Sequence, residues 1–188
     1  FFNGSEKPEG DSYRMLFEAA RLADAQGFSS VWLPERHFTD FGGLYPNPAT
    51  LHAALARETS RLRLMAGSSV LPLHNVRRLA EEWSVVDNLS DGRAGMSFAA
   101  GWNPADFALQ PENYESRRDQ LFTGIEELRR LWRGEALPMV GGDGESVTRR
   151  IYPTPVQSEL PLWVTAAGNP ETFERAGAAG ANMLTHLL

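Results

Sequence analysis

The chain has 188 residues, 42% of them hydrophobic and 22% charged, which is enough apolar content for one sizeable core. Eighteen basic against twenty-four acidic residues leave a net charge of -6, which speaks against a partner gripped by its phosphate backbone, so nucleic acid is not the expected ligand. Without cysteine there is no disulfide, thiolate catalysis or zinc-thiolate site, and no apolar run approaches the ~20 residues of a membrane span, so a cytoplasmic protein with no membrane partner is expected.

Short β-rich runs alternate with long amphipathic ones along the chain, the pattern of βα units on a parallel sheet. Phe1 and Phe2 can end a first strand. Residues 12–26 then predict a helix with Leu16, Ala19, Ala20 and Ala23 on one face and Gly27 as its stop. A strand is predicted over 29–33. After a polar and aromatic loop, Asn47 caps a second helix with Pro48 at its first position. Strand 62–69 follows, then helix 77–89 with Leu79, Trp83, Val86 and Leu89 on a common face, then strand 94–101. Leu121, Ile125, Leu128 and Trp132 form the seam of a fourth helix. The stretch between Gly134 and Pro161, with "GGDGES" and three prolines, reads as an irregular excursion and not as an element. Strand 162–167, a helix from 170 to about 179 and "NMLTHLL" as a sixth strand complete the pattern. The chain opens without methionine and stops on Leu187-Leu188, so both ends read as cut from something longer.

A doubly wound sheet would show a glycine-rich turn after its first strand, and "NGSEKPEG" lacks that spacing. A (β/α)8 barrel instead places polar residues at the C-terminal ends of many strands. That pattern is present in "PERH", "GSS", "GWN", "GNPE" and "TH". The expected fold is therefore α/β, a TIM barrel with about six of its eight strands in this chain, because a whole barrel takes about 250 residues.

Each strand end carries candidates and each has a plainer reading. Glu35, Arg36 and His37, beside Phe38, Phe41 and Tyr45, suit proton transfer against a flat heterocycle, or form a local ion pair. Gly67, Ser68 and Ser69 let a ligand lie against the backbone, or make a tight turn. Gly101, Trp102 and Asn103 offer an aromatic and an amide, or a packed tryptophan. Gly168 and Asn169 open a helix whose N–H groups suit a phosphate, or Asn169 is simply the cap. The four histidines show no metal spacing, so no metal is expected, and His52 reads as helix surface.

Taken together, "WLPERHFTDFGGLYPNP", "GSSVLPLHNVRRLAEEWSVVDNLSDGRAGMSFAAGW", "ENYESRRDQLFTGIEELRRLWRG" and "PTPVQSELPLWVTAAGNPETF" resemble the luciferase-like, flavin-dependent monooxygenase family over nearly the whole chain. Within it, "PERHFTDFGGLYPNP" and "GGDG" are similar to the subgroup associated with polyketide and nonribosomal-peptide assembly lines. The resemblance implies a barrel of the bacterial-luciferase type, with residues 1–188 as one domain cut at its C-terminus. It implies reduced FMN as cofactor, or F420 in some relatives, O2 as co-substrate, a separate flavin reductase, and an acyl or peptidyl substrate, free or carrier-bound; a homodimer is the expected assembly. A hydride-transferring F420 enzyme and a flavin-binding protein without turnover are the alternatives. The resemblance makes His37 and Glu35 the catalytic candidates and puts a non-proline cis peptide at Gly67-Ser68. It assigns Gly67, Ser68, Ser69, Ala100, Gly101 and Asn103 to the flavin ring and its chain, and Gly168, Asn169 and Thr172 to the phosphate. Tyr114 and Arg117 or Arg118 add contacts. Light-emitting members carry two histidines where this chain has Arg36-His37, so bioluminescence is not expected. The His-Pro pair usual after "LPL" is Asn75-Val76 here, which leaves His74 alone.

Overall fold

The computed structural model describes residues 11–41 and 43–185. The strand expected at Phe1-Phe2 and His186 of the sixth strand lie outside them. Five parallel strands form one open sheet in the order β1 (Ser30–Leu33), β2 (Arg63–Val70), β3 (Ala94–Ala99), β6 (Leu162–Thr165) and β7 (Asn182–Leu184). With its helical crossovers this is part of a barrel, and the described strands do not close.

The second helix begins where its cap predicts, and the third has a cap of the same kind. Asn47 accepts from Thr50 N at 3.0 Å to open α2 (Pro48–Glu58), and Asn75 accepts from Arg77 N at 3.0 Å to open α3 (Val76–Ser90). In α1 (Arg14–Ala25) Leu16 and Ala20 are buried, whereas Ala19, expected on the same face, is exposed. In α3 Leu79, Trp83 and Val86 are buried as expected, but Leu89 is exposed and Ser90 takes the inward position at the helix end. The seam of α4 (Arg117–Trp132) buries Leu121, Ile125, Leu128 and Trp132 as predicted.

Two expectations are corrected. The excursion holds an antiparallel hairpin, β4 (Leu137–Val140) and β5 (Ser146–Arg149), turned by the glycines of "GGDG" with Gly141 N donating to Glu145 O at 2.8 Å. Leu137 and Met139 alternate with exposed Pro138 and Val140, a period of two that the prolines around it disguise. His52 is fully buried, its Nδ1 donating to Pro48 O at 2.8 Å and its ring against Trp83. The second helix packs against both β2 and α3, so its polar residue at that position faces inward.

Polar staples fix the layers. Arg93 donates to the carbonyls of Ala56, Thr59, Leu62 and Ser90, which ties the ends of α2 and α3 to the start of β2. Asp87 accepts from Val156 N, Gln157 N and Gln157 Nε2, which pins the return from the hairpin to α3. Strand alternation then sorts the sheet: Leu33, Leu64, Ala66, Met96, Phe98, Leu162 and Val164 join the helices in the core. The opposite face is left to Trp32, Met65, Gly67, Ser97, Trp163 and Thr165.

Candidate active site

Polar groups gather at the C-terminal ends of the strands, on the face turned away from the helices. The register of β2 against β3 slips between Gly67 and Ser69, and the Gly67-Ser68 peptide is cis, as expected. A Cβ on Gly67 would lie 2.9 Å from Trp32, so only glycine lets β2 run this close to that ring. Trp32 meets Trp163 edge-on across the face, with centroids 5.3 Å apart. Ser68 Oγ donates to Thr165 Oγ1 at 2.7 Å, and Ser97 Oγ lies 2.6 Å from the same atom. Three hydroxyls from three strands thus form a row beside two indoles.

The loop after β1 supplies charge. Glu35 leaves the strand with its N–H donating to Ser68 O at 3.2 Å, and its carboxylate turns inward, 6% exposed as a residue. Oε1 accepts from His37 Nε2 at 2.7 Å and from His74 Nε2 at 2.9 Å, and Oε2 accepts from Val70 N at 3.0 Å. Burial alone pushes this carboxyl up, but hydrogen bonds from His37 and His74, the charge of His74 and the Val70 amide outweigh it and hold the pKa at about 2. Burial likewise pushes the His74 imidazole down, yet Glu35, with a further pull from Glu82, raises it above the ordinary value. Around this array, Phe38 (φ 51), Phe41 and Trp102 stand exposed, with the Arg36 guanidinium 5.7 Å from the centre of the Phe41 ring.

The other expected site residues fall into three groups. Ala100 and Gly101 follow β3, and Gly101 (φ 83) packs so closely that a Cβ there would sit 2.8 Å from Val70 and 2.9 Å from Phe107. Asn103 spends its side chain on a local turn, donating to Asp106 Oδ1 at 2.8 Å and accepting from Ala105 N. Ser69 is fully buried opposite Phe98, a core residue, so it is apart from the hydroxyl row. At α5 (Pro170–Ala178), Asn169 Oδ1 accepts from Thr172 N at 3.1 Å, which is the capping role, while Gly168 faces open space. Arg175, in the last turn of α5, bonds Asp119 in the first turn of α4 at 2.8 Å, and Arg117 of that same turn stacks on Tyr114 at 4.3 Å.

Sequence reasoning did not find Thr165, Ser97, Trp32, Trp163 or the link from His74 to Glu35. Thr165 had a signal, being polar and one step out of phase with the apolar residues of "LWV". The His74 contact spans 39 residues and has no local signature. Two surface grooves, about 490 Å³ between α2 and α3 and about 670 Å³ between α4 and α5, lie on the helical layer away from these groups. Among the described residues no histidine and carboxylate set is arranged to hold a metal, and no helix is long and apolar enough to cross a membrane.

Solved structures repeat this architecture. The monooxygenase RslO1 from Streptomyces bottropensis superposes with a TM-score of 0.85 at 29% identity, over 97% of this chain and 56% of that one. The FMN-bound oxygenating constituent of 3,6-diketocamphane monooxygenase from Pseudomonas putida has the same fold at 18% identity and a TM-score of 0.81, over 98% of this chain and 54% of that one. By sequence, the alkanal monooxygenase alpha chain of Photorhabdus luminescens is 38% identical over 91% of this chain and 47% of its own length. The oxygenase component of flavin-dependent trigonelline monooxygenase from Acinetobacter baylyi is 29% identical over 91% of this chain and 48% of its own length. The chain spans about half the length of these curated relatives. The pattern of the luciferase-like monooxygenase family matches residues 1–188 without a break, and with the strand-end chemistry in place the chain belongs to that family.

Proposed function

We propose that the complete protein is a monooxygenase that uses reduced FMN and O2 to oxygenate an acyl or peptidyl substrate, carrier-bound in natural-product biosynthesis. Residues 1–188 act as one domain, and the enzyme works as a cytoplasmic homodimer fed by a separate flavin reductase. The observation that carries this reading is the convergence on one sheet face of bare backbone at Gly67, two indoles, three hydroxyls and the buried Glu35 between His37 and His74. The relative named as a flavin-dependent oxygenase component supports both the flavin and the separate reductase. The assembly-line setting rests on "PERHFTDFGGLYPNP" and "GGDG".

The residues present fit a flavin. A flat heterocycle with polar edges needs a smooth floor, apolar walls and a few hydroxyls, and the face around Gly67 offers these. Gly67, Ser68, Ala100 and Gly101 would hold the ring, and the open ground at Gly168, with Asn169 and Thr172 opening α5, would take the phosphate. When bound, reduced FMN supplies the reaction with O2. The chain orients it, shields it from water and moves protons. His37 is placed to do the last, because its Nε2–H is committed to Glu35 and Nδ1 remains for substrate. Mixing the protein loaded with reduced FMN against O2 tests the reading. Flavin reoxidation should differ in rate from that of free reduced FMN; identical rates would leave a binding protein without turnover.

A further inference from the structure

His74 was left alone by the sequence, yet it closes the most buried part of the site. It sits just after the short 3-10 turn Leu71–Leu73 that follows β2, whereas His37 belongs to the loop after β1. Glu35 stands between them with both imidazole Nε2 atoms within 3.0 Å of its oxygens, and its side chain is fully buried. An ionised carboxylate only accepts hydrogen bonds, so each ring must present Nε2–H to it. The rings therefore share one tautomeric constraint through one anion. Behind His74 stands Glu82 of α3, which is itself held by Arg78 at 2.9 Å.

We propose that His74 is a positioning residue that acts through Glu35: by donating to the carboxylate alongside His37, across both oxygens, it keeps Glu35 anionic and aimed, and so fixes the His37 ring with Nδ1 turned to the pocket. This rests on the reading of His37 as the group that exchanges a proton with flavin or substrate. Without His74, the carboxylate keeps the Val70 amide but loses its second imidazole and a nearby positive charge. It then shares a proton more readily, and a protonated Glu35 can donate to His37 Nε2, which moves the ring's own proton to Nδ1. Nδ1 would then meet the reaction as a donor and could no longer accept a proton. In hydrolases with a histidine oriented by a carboxylate, that tautomer error is the main cost of losing the anion.

The test needs no cofactor for its first arm. Histidine-selective 15N NMR on the complete protein should show His37 and His74 both protonated at Nε2; a His37 proton at Nδ1 in the wild type overturns the proposal. In His74→Ala, His37 should become a mixture of tautomers, and in His74→Gln, whose amide can still donate, the Nε2–H form should return in large part. A His37 signal unchanged in both variants also overturns it. In turnover with reduced FMN and O2, His74→Ala should lose about tenfold to a hundredfold in kcat with little change in reduced-FMN affinity. His37→Ala separates the two layers: it should lose ~10²-fold. If it keeps full activity, the role of His37 falls, while the tautomer result still decides whether His74 positions it.

Discussion

A buried carboxylate with N–H donors from three segments can only be an anion, and each donor is left unpaired when it goes. This is the situation of Glu35, which the sequence offered as a catalytic candidate or one half of an ion pair and which the structure surrounds with His37, His74 and the Val70 amide. His52 shows the reverse case. Burial holds its imidazole neutral with a pKa of about 4, although hydrogen bonds to backbone at Pro48 and Val31 pull it upward. Because its folded pKa lies below the ordinary 6.5, the unfolded chain takes up the proton first as pH falls. Stability is then complete above pH 6.5 and declines toward pH 4. At pH 5 the loss from this group is about 2 kcal/mol relative to pH 7. Urea unfolding of wild type and His52→Leu at the two pH values should show the variant losing less by about that amount; equal losses would mean that His52 is not buried neutral.

Elements with strong periods or clean caps were legible in the sequence, and those whose meaning depends on contacts elsewhere were not. Asn47 and Asn169 announced two helix starts through side chains that reach only three residues ahead, and Asn75 does the same for α3 without having been singled out. The β4–β5 hairpin was obscured because four-residue strands with an exposed Pro138 carry little pattern of their own. Among the candidate site residues, Glu35, His37, Gly67 and Ser68 were singled out by their place at strand ends, and the cis peptide at Gly67-Ser68 was expected and found. His74 could not be, since its partner is 39 residues away, and Thr165 offered only a polar residue at a strand end, its partners lying 68 and 97 residues away. The start of α5 gives an element-scale prediction. A side chain at Gly168 meets nothing within 4 Å, so Gly168→Asp should fold normally. It would place a carboxylate where the phosphate is proposed to sit, and it should weaken FMN about tenfold or more while leaving riboflavin nearly unchanged. Equal effects on both ligands would put the phosphate elsewhere and leave Asn169 as a cap alone.

At the scale of the molecule, a parallel sheet divides its two faces by strand alternation. One face is given to the helices, through Leu64, Met96, Phe98 and Val164, and the other to Trp32, Gly67, Ser97 and Thr165. Stability and chemistry are thereby assigned to alternate residues of the same strands. The net charge of -6 on residues 1–188 does not draw an anionic cofactor to them, so the affinity they supply must come from this face and from the start of α5. The central claim, that the face binds reduced FMN, is tested most directly by anaerobic titration of the complete protein with reduced FMN and, in parallel, with reduced F420. The account predicts saturable binding of reduced FMN, tighter than that of F420 and weakened when a Gly67→Ala side chain crowds Trp32. Tighter binding of F420, or no binding of reduced FMN, would contradict it.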